Sequence, residues 1–185
     1  MSSKDIKIIL KTAFSLFLIC AVATGLLAFI NSVTAPIISA NNTKAADEAR
    51  LELLPSASAF TEERTEDGTV YHKGTKENIT VGYVFITNAS GYGGTIEVMT
   101  AVNADGTVSG ISILSINETP GLGMNAKRES FSSQYNGKTG PFSVVKNSVS
   151  SENDILAITS ATITSDAVTK AVNEALGIYN TVKEG

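Results

Sequence analysis

Residues 159–165 have the sequence Thr159-Ser160-Ala161-Thr162-Ile163-Thr164-Ser165, and a helical pattern follows directly. In that pattern, Thr164 or Ser165 is the predicted N-cap. Backbone N–H groups in the first turn of a helix have no partner inside it, so they bind anions well. The run therefore predicts an anion site beside a helix start. Apolar side chains recur after it at helical spacing, namely Val168, Val172, Ala175, Leu176 and Tyr179.

The composition excludes several classes of protein. The chain has 185 residues, 43% of them hydrophobic, and a net charge of −4, which fits one compact domain with an attachment. The acidic balance argues against nucleic-acid binding. One cysteine, Cys20, excludes an internal disulfide, and the one histidine, His72, cannot form a metal site by itself. Any redox or group-transfer chemistry is therefore expected from a bound cofactor.

The N-terminal part predicts a membrane anchor. No charged residue occurs from Thr12 to Thr43, and residues 12–35 are long enough to cross a bilayer, with Pro36 as the expected exit. The lysines before this run place residues 1–11 in the cytoplasm and the remainder outside, namely Lys4, Lys7 and Lys11. A cleaved signal peptide is the alternative, but the run is long for one, and Pro36 follows the best cleavage site.

The part outside the membrane predicts an α+β domain. A helix over Lys44–Leu54 should end at Pro55, and Asn103-Ala104-Asp105-Gly106 predicts a hairpin between strands. We expect residues 36–80 to form the connecting helix and the start of the outer domain, and 81–185 its core. That core is a twisted, mainly antiparallel sheet flanked by helices. Its predicted strands include Val81–Ile86, Thr95–Val102 and Val108–Ile116.

The loop after the last of these strands has an unusual composition. Pro120-Gly121 predicts a tight turn, and the glycines on both sides of Leu122 would let the backbone approach a flat ligand. From residue chemistry alone, an ordinary strand-to-helix turn is the simpler interpretation.

These motifs together resemble a known family. The chain resembles the RnfG family, the membrane-anchored FMN-binding subunits of the Rnf complex, and is similar to the related NqrC family. The resemblance covers almost the whole chain. It includes the N-terminal helix, the Gly91-Tyr92-Gly93-Gly94 loop, the hairpin, Glu118-Thr119-Pro120-Gly121-Leu122-Gly123 and Ser160-Ala161-Thr162-Ile163-Thr164-Ser165.

The resemblance implies covalently attached FMN. In that family a phosphoester joins FMN to the last threonine of a Ser/Thr-Gly-Ala-Thr motif, which is Thr162 here. Two residues depart from the pattern: Ser160 stands where glycine is usual, and Leu156 stands where the flavin transferase's motif commonly has aspartate. The other residues expected at the flavin are Glu118, Thr119, Gly121, Leu122, Gly123, Thr159, Ser160, Ala161 and Thr164.

The resemblance also implies a function and partners. The chain would be an electron-transfer subunit of an ion-translocating ferredoxin:NAD oxidoreductase, without an independent catalytic site. It would lie in the bacterial cell membrane as a single-pass protein, beside other Rnf subunits, after maturation by a flavin transferase. A flavin-binding domain of a sensor or extracellular reductase is a second hypothesis. A pilin-like anchored protein is a third, although the pilin glycine cleavage site and glutamate are missing.

Overall fold

The structure, a computed structural model, describes residues 3–184. Met1 and Ser2, the start of the predicted cytoplasmic segment, lie outside the described residues, and so does Gly185. The chain divides after Lys44 into two compact units.

One long helix, α1, forms nearly all of the first unit. It runs over Ser3–Leu53, and its segment from Ile9 onward is long and apolar enough to cross a membrane. The large apolar side chains of this segment are exposed, Phe14 and Phe29 among them, as expected for a surface that faces lipid. Pro36 lies inside α1, because the loss of a single N–H donor does not end a helix of this length. The predicted helix over Lys44–Leu54 is the last part of α1.

The second unit is built on a five-stranded antiparallel sheet in which each strand pairs with its neighbours in sequence. The predicted hairpin at residues 103–106 is present: the Asn103 N–H donates to the Thr107 carbonyl at 2.8 Å, and Gly106 has a φ of +94°. The strands are β1 (Ala59–Arg64), β2 (Val70–Lys76), β3 (Ile79–Ser90), β4 (Thr95–Asn103) and β5 (Val108–Ser115).

The C-terminal helix, α3 (Thr162–Glu184), packs on one face of this sheet. Its apolar stripe is buried against the inward-facing residues of β3, β4 and β5, as the helical spacing predicts. Thr87 on β3 donates its hydroxyl proton to the Ala171 carbonyl at 2.9 Å, which connects the sheet to the middle of α3. The helix is therefore held in a fixed position, and so is its N-terminus.

The opposite face of the sheet is covered by the end of α1 and the turn that follows it. Leu54 is fully buried there with Val84 and Met99. The Ser109 hydroxyl on β5 donates to the Leu53 carbonyl at 2.6 Å. The sheet is therefore the middle layer between two helices, and the α+β class with a mainly antiparallel sheet is confirmed.

The connection from β5 to α3 is irregular. It contains a 3-10 helix (Gly123–Lys127), the short α2 (Glu129–Ser132) and a 3-10 turn (Ser133–Tyr135) in place of one regular helix. Packing of Phe131 and Tyr135 into the core takes precedence over a regular helix. Two short strands, β6 (Ser143–Val145) and β7 (Asp154–Leu156), then form a parallel pair that leads to residue 159.

Candidate functional site

The first turn of α3 begins earlier than the sequence predicts. The helix starts at Thr162, so neither Thr164 nor Ser165 is its N-cap. The first i to i−4 hydrogen bond joins the Ser165 N–H to the Ala161 carbonyl at 3.0 Å. The N–H groups of Thr162, Ile163 and Thr164 consequently have no acceptor inside the helix. The open N–H groups of this first turn therefore begin at Thr162, two residues before the earlier of the two predicted caps.

Ser165 has a different role from the predicted cap. It is fully buried, and its hydroxyl oxygen accepts the Ile158 N–H at 3.0 Å while donating to the Ala161 carbonyl at 3.0 Å. These two bonds tie the segment that enters the helix to the first turn. A serine at the fourth helical position reaches backward because its short side chain can bond to nearby backbone groups. Ser165 therefore positions the residues just before Thr162.

Ser160 has a left-handed backbone conformation, with a φ of +62°. Glycine adopts this conformation without a steric penalty, whereas a residue with a Cβ atom pays about 1–2 kcal/mol. The turn at Ser160 directs the chain from β7 into α3. This geometry gives a physical reason for the glycine that is usual at this position in the resembling family.

Glu118 connects two loops beside the helix start. Its side chain is 8% exposed, and its Oε1 atom accepts the Tyr92 N–H at 2.7 Å and the Gly93 N–H at 3.2 Å. A Cβ atom at Gly91 would approach the same Oε1 to 2.3 Å, so the loop after β3 needs glycine to come this close. Glu118 thus holds the loop after β3 against the loop after β5.

Gly123 lies between that loop and α3. A Cβ atom at this position would come within 2.7 Å of both Glu118 Cβ and Thr164 Oγ1. Thr164 is 1% exposed, so its hydroxyl packs inward under Gly123. The close contact sets the spacing between the Glu118 loop and the helix start.

These loops enclose a cleft of about 540 Å³, within the range of about 300–1,000 Å³ that is common for ligand sites. It lies at the N-terminus of α3, and Thr162 is half-buried in its wall. The structure brings together there all the predicted site residues except Gly121 and Thr159. The residues that line the cleft are Tyr92, Glu118, Thr119, Leu122, Gly123, Ser160, Ala161, Thr162, Ile163 and Thr164.

Gly121 and Thr159 line a neighbouring cleft of about 500 Å³. Leu122 and Ser160 border both clefts. Gly121 has a φ of +79°, and its carbonyl accepts the Asn125 side-chain amide at 2.7 Å, so it shapes the turn.

Leu156, the residue at the usual aspartate position, also faces the second cleft and is 41% exposed. Gln134 holds its backbone, since Gln134 Oε1 accepts the Leu156 N–H at 2.7 Å and Gln134 Nε2 donates to the Leu156 carbonyl at 3.2 Å. Asp154 is engaged elsewhere, because its Oδ2 accepts the Ser150 and Ser151 N–H groups. Asp154 therefore does not substitute for an aspartate at position 156.

The residues of the first cleft fit a flavin mononucleotide. The unpaired N–H groups of the first turn of α3 suit a phosphate group. Leu122 and Ile163 present exposed apolar side chains to the cleft, as a flat aromatic ring requires. A Cβ atom at Gly123 would collide with the Glu118 and Thr164 side chains, so glycine lets this loop lie against the start of α3. A single ligand with a phosphate at one end and a flat apolar ring at the other therefore matches the residues of this cleft.

Sequence reasoning did not predict Tyr92, Ile163 and Ser165 as part of the site. Tyr92 lies in the Gly-Tyr-Gly-Gly loop, whose glycines signal close packing, although nothing in its local sequence shows that it meets residues 118–123. Ile163 follows Thr162 directly, so its place beside the cleft could have been inferred from the motif. The role of Ser165 depends on where the helix begins, which the motif alone leaves open.

This cleft at a helix start beside an antiparallel sheet defines an FMN-binding domain. The family model described as FMN-binding domain matches residues 91–177, which include both sides of the cleft. A second model, described as RnfG N-terminal region, matches residues 1–53, the extent of α1.

Comparison with curated proteins gives the family. The chain is 36% identical to the G subunit of the Na(+)-translocating ferredoxin:NAD(+) oxidoreductase complex of Acetobacterium woodii, over 97% of this chain and 96% of that protein. It is 34% identical to the G subunit of the proton-translocating ferredoxin:NAD(+) oxidoreductase complex of Clostridium ljungdahlii, over 98% and 97%. The chain belongs to the RnfG family of ion-translocating oxidoreductase complexes.

The fold also matches a solved structure. The crystal structure of Shewanella oneidensis NqrC superposes with a TM-score of 0.57 at 20% identity, covering 67% of this chain and 68% of that one. This likeness concerns the fold alone. Membership of a family of membrane complexes, together with the exposed apolar surface of α1, indicates that the chain is anchored in a membrane.

Proposed function

We propose that this protein is the flavin-carrying electron-transfer subunit of a membrane-bound ion-translocating ferredoxin:NAD oxidoreductase, with FMN esterified through its phosphate to Thr162. The observation that carries the proposal is the position of Thr162, in the first turn of α3 and in the wall of the 540 Å³ cleft. The family and the match to an FMN-binding domain support it. When bound, FMN supplies the capacity to accept and donate electrons.

The chain's own residues have three tasks in this proposal. The N–H groups of the first turn of α3 stabilise the remaining negative charge of the phosphodiester. Leu122 and Ile163 exclude water from the ring, and Gly123 lets the Glu118 loop lie close to the first turn of α3. Glu118 and Ser165 keep the two loops and the helix start in register.

The membrane arrangement is part of the same proposal. Residues 12–35 cross the bilayer, residues 1–11 lie in the cytoplasm, residues 36–80 form the connection and the start of the outer domain, and residues 81–185 form the FMN-binding core outside. The lysines before the apolar run support this orientation. Other Rnf subunits and a flavin transferase are the expected partners.

Covalent attachment can be tested by intact mass. The full chain, co-expressed with a flavin transferase and purified in detergent, should gain the mass of one FMN less water and absorb visible light. Thr162→Ala should abolish both changes. Thr181→Ala, which removes an exposed threonine hydroxyl on the same helix outside the cleft, is the matched control and should keep the flavin. Flavin retained covalently in Thr162→Ala would refute attachment at this residue.

Recognition by the transferase can be tested at Leu156. Position 156 is exposed, so an aspartate can be placed there without burying a charge. Leu156→Asp should raise the rate of flavin attachment, and Leu156→Asn, similar in size but uncharged, should raise it less. Equal rates of flavin attachment in the wild type and in both variants would show that the transferase does not recognise position 156.

The orientation can be tested with single cysteines, because Cys20 is the only native one. In a Cys20→Ser background, a cysteine replacing the exposed Thr61 should react with a membrane-impermeant maleimide in intact cells. A cysteine replacing Lys7 should react only after lysis. The reverse pattern would overturn the proposed orientation.

A further inference from the structure

Three exposed apolar side chains of the outer domain converge on one cleft. Tyr92 is 75% exposed, Ile163 is 56% exposed and Leu122 is 39% exposed, and all three line the cleft that contains Thr162. They come from three separate segments of the chain, so their meeting is a product of the fold. A cluster of exposed apolar groups around a concave surface marks a binding site.

Tyr92 differs from the other tyrosines of the chain. Its ring is mostly exposed, although the backbone that carries it is held in place. The Tyr92 N–H donates to Glu118 Oε1 at 2.7 Å, and the Gly91 N–H donates to the Gly94 carbonyl at 2.8 Å, which closes the turn. The ring is thus presented to the cleft from a fixed backbone. Each of the remaining tyrosines packs against another aromatic ring, namely Tyr71, Tyr83, Tyr135 and Tyr179.

We propose that Tyr92 is a flavin-contacting residue whose ring stacks on the isoalloxazine of the bound FMN and lowers its midpoint potential. This inference rests on the proposed function and extends it to a residue of the loop after β3. The 8%-exposed Glu118 sets the position of the loop, and the ring supplies the apolar surface. Aromatic rings favour offset stacking on flat partners.

Two measurable properties follow from this contact. The face of an aromatic ring carries partial negative charge, so stacking disfavours the addition of electrons to the flavin. A phenol in contact with an excited flavin also shortens the fluorescence lifetime of the flavin. The Tyr92 phenol would donate one electron to the excited flavin and recover it on recombination, so no net oxidation would occur.

The test compares the flavinylated full chain with Tyr92→Leu and Tyr92→Phe. Tyr92→Leu should lengthen the fluorescence lifetime of the flavin several-fold and raise the midpoint potential. Tyr92→Phe, which keeps the stacked ring and loses the phenol, should lengthen the lifetime while the potential stays near that of the wild type. Tyr83→Phe, in the aromatic cluster with Tyr71 and Phe85, is the control and should change neither.

Intact mass measured on every sample separates this inference from the proposed function. A wild type without covalent flavin refutes attachment to Thr162. In that case FMN titrated into the same protein still tests Tyr92, because its emission should be quenched in the wild type and less quenched in Tyr92→Leu. A lifetime and potential unchanged in fully flavinylated Tyr92→Leu, or equal quenching of titrated FMN, would overturn the contact.

Discussion

Glu118 accepts the backbone N–H of Tyr92 at 2.7 Å, across 26 positions of sequence. The bond joins the loop after β3 to the loop after β5, and its acceptor is a nearly buried carboxylate. Both loops border the cleft that contains Thr162. The shape of the site therefore depends on a contact between residues far apart in sequence.

Replacement of Glu118 should separate the two loops. Glu118→Ala leaves the Tyr92 and Gly93 N–H groups without their acceptor, so we expect a loss of about 1–3 kcal/mol in the free energy of unfolding. Glu118→Gln keeps an oxygen at the same place, so its free energy of unfolding should fall less. The measurement is a urea titration of the detergent-solubilised, unflavinylated full chain by tyrosine fluorescence. All tyrosines lie between residues 71 and 179, so the signal reports on the second unit alone. Equal midpoints for the wild type and Glu118→Ala would contradict the role of this bond.

Ser160→Gly should stabilise the second unit. Glycine removes the steric cost of a φ of +62°, so we expect a gain of about 1 kcal/mol in the free energy of unfolding. Ser160→Ala keeps the Cβ atom and is the matched control, with little expected change. The same tyrosine-fluorescence titration measures both. A Ser160→Gly variant no more stable than Ser160→Ala would show that the left-handed backbone carries no strain.

Loss of the Ser165 hydroxyl should loosen the entry to α3. Ser165→Ala leaves the half-buried Ile158 N–H without its acceptor, and we expect a cost of about 1–2 kcal/mol. Flavin attachment at Thr162 should slow as well, because the segment before it loses its anchor. Thr181→Ala removes an exposed hydroxyl that donates to the Gly177 carbonyl on the same helix. This control should change neither the stability nor the rate of flavin attachment appreciably. Unchanged stability and attachment in Ser165→Ala would exclude this positioning role.

His72 should make stability depend on pH. Burial, reinforced by the nearby Arg50 guanidinium, lowers the pKa of the His72 imidazole below its usual 6.5. The unfolded chain then binds more protons in mildly acidic solution, so the domain should lose stability as the pH falls below about 6.5. His72→Gln should lose less stability as the pH falls through the same range. Because His72 is the only histidine, no other imidazole contributes to the difference. Parallel pH profiles for the two proteins, measured by urea titration, would contradict this prediction.

Local patterns in the chain were sufficient to predict much of this protein. The uncharged run after Thr12 predicts a helix that can span a bilayer, since every apolar side chain adds a favourable transfer free energy. The Asp105-Gly106 turn and the alternating residues beside it predict the β4–β5 hairpin, because the turn conformation depends on those residues alone. The α3 stripe was likewise predictable from its spacing.

Only the tertiary structure decided the site. The segments that line the cleft meet because α3 packs on β3 and β4 and because Glu118 crosses between two loops, and neither contact has a local signature. The helix begins at Thr162 because the buried Ser165 hydroxyl holds the Ile158 and Ala161 backbone, which capping preferences do not encode. Sequence patterns report short-range energies, whereas the cleft arises from contacts whose partners lie tens of residues apart.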